Sequence, residues 1–275
     1  IDRAHRNVWL THAYFMPDEN FVQALTEAAR RGVDVRLLLP YRPPAVCDFV
    51  TFESHVEGVR QSIEKSPGVP GAWYDAPTFY FTNPHALFGP GDAIPRPKTC
   101  RALDYELEVA CVVGRDGSDL TEDEADAAIF GYTILNDWSA RDLQGREMQV
   151  GLGPAKGKDF ATSIGPWIVT ADELAAYVDA NGFLDLDCRV SVNGELLGHD
   201  RLSGMNWTFA QMVAYASRDS RVVVGDLLAS GTTGGGGCLA ELWGRRGTQT
   251  PSPLEPGDVV RIDVEGIGFL EGSVA

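Results

Sequence analysis

The chain reads as a β-rich α+β domain preceded by a small β-α-β segment, and three observations predict this. Apolar runs of strand length recur at 105–113, 130–136, 164–170, 185–192, 222–229 and 258–265. Helical periodicity is confined to shorter stretches between them, at 121–129, 171–178 and 208–217. Residues 1–40 differ in texture from residues 41–275, which sets the expected boundary between an N-terminal segment and a catalytic domain.

Taken in order, "NVWLTHAYF" reads as a strand, "ENFVQALTEAARRG" as a helix closed by Gly32, and "VDVRLLLP" as a second strand. Such a β-α-β unit is too small to fold alone. Proline then gathers in "YRPPAVCDF", and residues 66–97 carry many Pro, Gly and aromatic residues, so irregular structure is expected there. Asn193-Gly194 within "SVNGELLG" suits a type I′ hairpin turn. The C-terminal "LEPGDVVRIDVEGIG" reads as a turn entering a strand, and no internal repeat is visible.

A chain of 275 residues can bury a substantial core as one large domain or two small ones. Its 23 basic and 39 acidic residues give a formal net charge of −16, which argues against a general binder of nucleic acid or anionic membrane. An anionic substrate remains compatible, because a bound cation and a few basic residues reverse the field locally. The five cysteines are widely spaced with no C-x-x-C pair, so neither a disulfide framework nor a zinc knuckle is indicated. No signal-peptide pattern or membrane-length apolar stretch is seen, and a reducing cytoplasm is the expected compartment.

The stretch "LDYELEVACVVG" at 103–114 places Glu106 and Glu108 on one face of a strand running into the core. Two like charges there cost several kcal/mol, on the order of a lost buried ion pair, unless something positive meets them. The bland alternative is an exposed strand end with both acids solvated. Farther on, "GYTILNDWSARDLQGREMQ" ends a strand at Asn136-Asp137 and turns helical, which lets Arg141 and Gln144 share a helix face. Taken singly, Asp137 suits a turn, Arg141 surface charge and Gln144 a solvated position. "GLGPAKGKDFATSIGPW" adds Lys158 and Thr162 among glycines.

"DYELE", "NDWSARDLQ" and "GPAKGKDFATSIGPW", in this order and spacing, resemble the fumarylacetoacetate hydrolase family from about residue 41 to the end. The resemblance implies the family's mixed β-roll, a homodimer, and a metal site in which Glu106, Glu108 and Asp137 are ligands. Oxygen-only ligands favour Mg²⁺ or Ca²⁺, with Mn²⁺ as a further choice. "CDFVTFESH" is similar to an early family segment and makes Asp48 a fourth ligand and His55 the general base. "CLAELWG" places Glu241 where the family has a glutamate on a late strand that polarises the histidine. Two departures matter. Gly58 stands where lid-type members carry a glutamate, with Glu57 one residue earlier, which favours a His55–Glu241 pair. Val50 stands where the human-type enzyme has a pocket tyrosine.

By this resemblance the protein is a metal-dependent hydrolase cleaving a C–C bond in a β-diketo acid of the fumarylacetoacetate or acylpyruvate type. His55, held by Glu241, activates water. The cation stabilises an enolate, Lys158 and Gln144 donate to the oxyanion, Arg141 orients ligand carboxylates, and Thr162 meets the substrate carboxylate. The alternatives are a decarboxylase, hydratase or isomerase of a related keto acid in aromatic catabolism, or a non-catalytic chimera. The last arises because "AYFMPDENFVQALTEAARRGVDVRLLLP" is similar to part of a phospholipase D or cardiolipin synthase domain, as a foreign fragment joined near "LLLPYRPP" or as a native subdomain. That family's His-x-Lys nucleophile motif is absent from the sequence, so its phosphodiesterase chemistry is excluded for this chain. "GPAKGKD" has the wrong spacing for a P-loop, and "GTTGGGGC" reads as a tight loop beside the site.

Overall fold

A computed structural model describes residues 7–11, 24, 27–28, 31, 33–38, 41–64, 66 and 68–275. Its first strands are β1 (Asn7–Thr11), β2 (Asp34–Leu38), β3 (Val46–Phe49), β4 (Phe79–Thr82), β5 (Leu87–Phe88) and β6 (Ala93–Ile94). The middle of the chain supplies β7 (Leu103–Asp104), β8 (Leu107–Val113), β9 (Ile129–Asp137), β10 (Ser139–Ala140) and β11 (Thr162–Thr170). The last strands are β12 (Asp187–Val192), β13 (Glu195–Arg201), β14 (Leu227–Ala229), β15 (Val259–Val264) and β16 (Gly268–Val274). The helices are α1 (Glu53–Val59), α2 (Glu122–Asp126), α3 (Arg141–Met148), α4 (Phe209–Ser217) and α5 (Leu239–Arg246).

These strands form the expected α+β architecture. A mixed sheet runs β1-β2-β11-β9-β8-β14-β3-β4, with β5 beside β11. A second sheet runs β13-β12-β15-β16-β6, and β7 pairs with β10. Strand β8 explains why its sequence reads as a continuous apolar run. Leu107, Val109, Cys111 and Val113 pack into the main core, which also holds Trp138, Met212 and Ile262. Ala110 and Val112 pack on the other side with Leu135, Ile164 and Leu227. A strand buried on both faces has no solvent side to alternate.

Local chemistry sets several boundaries. Thr121 and Glu124 form a capping box that starts α2, and Thr208 with Gln211 does the same for α4. Asn193 and Gly194 both adopt positive φ in the β12–β13 hairpin, as the turn requires. The helix expected at 171–178 is instead a turn and a short 3-10 segment at Ala175–Tyr177. Within it only Leu174 is buried, so there is no apolar row for an α-helix to bury. The strand expected at 222–229 shrinks to Leu227–Ala229 because Gly225 turns the chain at φ 90°.

The β1 and β2 ends of the expected β-α-β unit are parallel partners. Positions 24, 27 and 28 are helical, while the rest of the expected helix lies outside the described residues. Strand β2 joins the large sheet through antiparallel pairing with β11. No described helix is long and apolar enough to cross a membrane.

Candidate metal centre and active site

Strand neighbours bring the acidic residues together. In the order β9-β8-β14-β3, Asp48 lies on β3, Glu108 on β8 and Asp137 at the end of β9. Glu106 immediately precedes β8, and its carbonyl accepts the Asp137 N–H at 3.3 Å. Ligand atoms of Asp48, Glu106, Glu108 and Asp137 all lie within 4.8 Å of one another, and all four residues are buried.

Two buried cations meet them. Lys158 Nζ lies 2.5 Å from both Glu106 Oε2 and Asp137 Oδ2. Arg141 pairs through Nη2 with Glu106 Oε1 at 2.7 Å and through Nε with Asp104 Oδ2 at 2.8 Å. Burial alone would lift the Glu106 carboxyl, but Lys158 and Arg141 outweigh it and hold the group well below the usual range. The other three acids are pushed the opposite way. Burial raises Asp48, Glu108 and Asp137, and neighbouring carboxylates add to it.

Asp48, Asp104, Glu106, Glu108 and Asp137 against Lys158 and Arg141 leave a net negative charge of three if all are ionised. Asp137 Oδ1 is buried and has no hydrogen-bond partner. An all-oxygen donor set, a surplus of negative charge and an orphaned carboxylate oxygen together fit a hard divalent cation. Tyr80 closes the group: its hydroxyl lies 2.8 Å from Asp48 Oδ2 and 2.5 Å from Asp137 Oδ2, and donates to one of them. The Gly231 N–H and the Thr232 hydroxyl donate to Glu108 at 3.2 and 3.4 Å.

His55 stands on α1 with its Nε2 4.0 Å from Glu106 Oε1. Burial pushes the imidazole down to about 4, against the pull of Glu106, so it is neutral at pH 7. Its Nδ1 does not meet Glu241, as the sequence reading expects. It meets Cys238 Sγ at 3.6 Å. Glu241 lies on helix α5 rather than on a strand, fully buried, where it accepts the Gly236 N–H at 3.2 Å and pairs with Arg245. Packing forces this arrangement. A Cβ on Gly58 would come within 2.7 Å of Glu241 Cγ, and one on Gly244 within 2.0 Å of the Gly58 carbonyl oxygen, so α1 and α5 approach closely with Glu241 wedged behind the histidine helix. Cys238, the N-cap of α5, takes the position facing the ring.

The remaining predicted residues fall in two groups. Gln144 is brought in: its Oε1 accepts from Arg141 Nη1 at 3.0 Å, which leaves the amide N–H₂ as the outward end. Gln144 and Lys158 line the cleft with Asp48, His55, Glu106 and Glu108. Thr162 sits opposite Asp137 in the β11–β9 register, buried, and is not among the cleft-lining residues; Thr232 is.

Sequence reasoning missed Asp104, Tyr80, Cys238 and Thr232. Asp104 accepts the Leu239 and Ala240 N–H groups at 2.7 and 3.0 Å as well as Arg141, so it ties the start of α5 to the acid cluster. Its presence beside Glu106 in "DYELE" was the available signal. Tyr80 lies in the aromatic stretch expected to be irregular, where nothing in the sequence marks one tyrosine over another.

The profile described as "Fumarylacetoacetate (FAA) hydrolase C-terminal" matches residues 44–275. A second profile, "Cardiolipin synthase, PLD-like domain", matches residues 1–86 and overlaps the first. The chain is 35% identical over 242 residues to Protein Rv2993c of Mycobacterium tuberculosis, covering 88% of this chain and 79% of that protein. It is similar to the solved fumarylacetoacetate hydrolase of psychrophilic Exiguobacterium antarcticum, with 30% identity, a TM-score of 0.67, and coverage of 86% of this chain and 77% of that one. Another similar structure is 2-hydroxyhepta-2,4-diene-1,7-dioate isomerase from Mycobacterium marinum, with 31% identity, a TM-score of 0.64, and coverage of 86% and 77%.

Proposed function

The chain belongs to the fumarylacetoacetate hydrolase family, and from that premise we propose that it hydrolyses a C–C bond in a β-diketo acid. The observation carrying this reading is a buried histidine beside a buried cluster of four carboxylates, three of which line the same cleft. Asp48, Glu106, Glu108 and Asp137 would hold the cation, Mg²⁺ or Ca²⁺ with Mn²⁺ as a further choice. When bound, it supplies Lewis acidity that draws electron density from the substrate's keto oxygens.

The chain's own residues account for the rest. His55 Nε2 faces the cluster and takes a proton from water, a role worth about 10²–10⁴-fold. The attacking oxygen forms a C–O bond at the distal carbonyl, the adjacent C–C bond breaks, and the electron pair leaves on the carbon fragment, which is then protonated. Two acids result. Lys158, with one N–H left after its two carboxylates, and the Gln144 amide donate to the oxyanion; losing one such donor costs about 3–4 kcal/mol of transition-state stabilisation. Arg141 holds Glu106 and orients Gln144. Thr162 does not line the cleft, so no substrate contact is assigned to it. The reading takes the working unit as a cytoplasmic homodimer in aromatic catabolism, with no nucleic-acid or membrane partner.

A second reading, isomerisation of a related keto acid, draws on the similarity to the isomerase of Mycobacterium marinum. Proton NMR of products from acylpyruvates and fumarylacetoacetate separates the two. Release of two acids, dependent on added Mg²⁺, abolished by EDTA and lost in His55→Ala, is the expected result. A product of unchanged mass establishes isomerisation instead.

A further inference from the structure

Three of the cluster's acids, Asp48, Glu106 and Glu108, line a cleft of about 430 Å³. The remaining walls include Val50, Val56, Val59, Ala72, Trp73 and Met148. Trp73 is fixed there: its indole N–H donates to the Val50 carbonyl at 2.7 Å, so its only polar atom is already engaged. Val50 adds a hydrocarbon side chain to the same wall.

The cations of the cleft are likewise committed. Among the described residues those lining it are Arg60, Arg141 and Lys158. Lys158 and Arg141 are bound to the carboxylates. Arg60 donates to the Gly68 carbonyl and the Ser66 hydroxyl, which ties it to the following loop. A second carboxylate on the substrate's acyl end would therefore leave water for hydrocarbon walls, whereas an apolar tail gains by the same transfer.

Resting on the hydrolase reading, we infer that the cleft selects β-diketo acids whose acyl group is an apolar alkyl or aryl tail, and discriminates against those ending in a second carboxylate. Val50, Val59 and Trp73 are the specificity-determining residues. The test is kcat/KM for acetyl-, butanoyl-, hexanoyl- and benzoylpyruvate against fumarylpyruvate, using the full chain with Mg²⁺. Each added methylene is expected to raise kcat/KM by about fourfold until the cleft is filled. Fumarylpyruvate should fall at least about tenfold below hexanoylpyruvate, and Val59→Arg should narrow or reverse that gap.

A binding arm keeps the two readings apart. In calorimetry with Mg²⁺ present, 2-oxooctanoate should bind more tightly than 2-oxosuberate, which has the same chain length and a terminal carboxylate. Tail preference in binding without any cleavage overturns hydrolysis and leaves this inference standing. Cleavage that is indifferent to tail, or better with fumarylpyruvate, overturns the inference alone. Equal binding of the two oxo acids, or binding of neither, also overturns it.

Discussion

Two side chains behave differently from what their types suggest. Cys238, a lone buried cysteine, faces the Nδ1 of His55 at 3.6 Å and also accepts the Glu241 N–H. With Nδ1 donating to the sulfur, Nε2 is the acceptor, which is the tautomer a base needs; the contact itself is compatible with either direction. Replacing Cys238 with Ala should lower kcat about 10- to 100-fold with KM little changed, as for other groups that orient site residues, and Ser should restore much of the loss. Steady-state kinetics on both variants checks this; an unchanged kcat in Cys238→Ala would remove the cysteine from the mechanism. Glu241 has a different consequence. Burial lifts its carboxyl from 4.5 to about 7, more than Arg245 lowers it. A folded-state value above the unfolded one gives stability that is fully present below about pH 4.5 and lost as pH rises through about 7. At 1.36 kcal/mol per pH unit the loss is about 3 kcal/mol. Thermal unfolding of Glu241→Gln, which cannot ionise, should therefore gain on the wild type between about pH 5 and about pH 8. Parallel curves for the two proteins would show that the carboxyl is ionised throughout.

Elements explain why part of the site was legible in sequence and part was not. Glu106 and Glu108 could be placed because strand periodicity puts them on one face and acids inside an apolar run demand a positive partner, whereas Asp137 was assigned by the family resemblance. Asp48 and His55 followed from the family spacing. The partner of His55 could not be read, because it depends on how α1 crosses α5. That crossing is set by Gly58 and Gly244 meeting without side chains, a tertiary fact with no local signature. Asp104 shows the same limit: it caps α5 from 135 residues away while pairing with Arg141. Asp104→Ala leaves Arg141 buried with one partner fewer and frees two helix N–H groups, which should cost about 3–5 kcal/mol. Guanidinium unfolding measures it, and a loss below about 1 kcal/mol would mean that Glu106 alone satisfies the guanidinium.

At the scale of the whole molecule, the large sheet exists in its observed order partly because α+β patterning was strong along residues 103–275, and the class was correspondingly clear. What binds the acids into one site is the adjacency of β9, β8, β14 and β3, which no local pattern encodes. These strands bring the carboxylates of Asp48, Glu106, Glu108 and Asp137 together beside His55, a set that fits a cation. Cation binding then couples to the whole fold: at a hundredfold excess over Kd it should stabilise the native state by about 2.7 kcal/mol. The most direct test is titration calorimetry of the purified chain with Mg²⁺ and Mn²⁺, beside Glu108→Gln. One ion per chain is expected in the wild type and at least about tenfold weaker binding in the variant. Absence of binding in the wild type, or binding that Glu108→Gln leaves unchanged, would contradict that expectation.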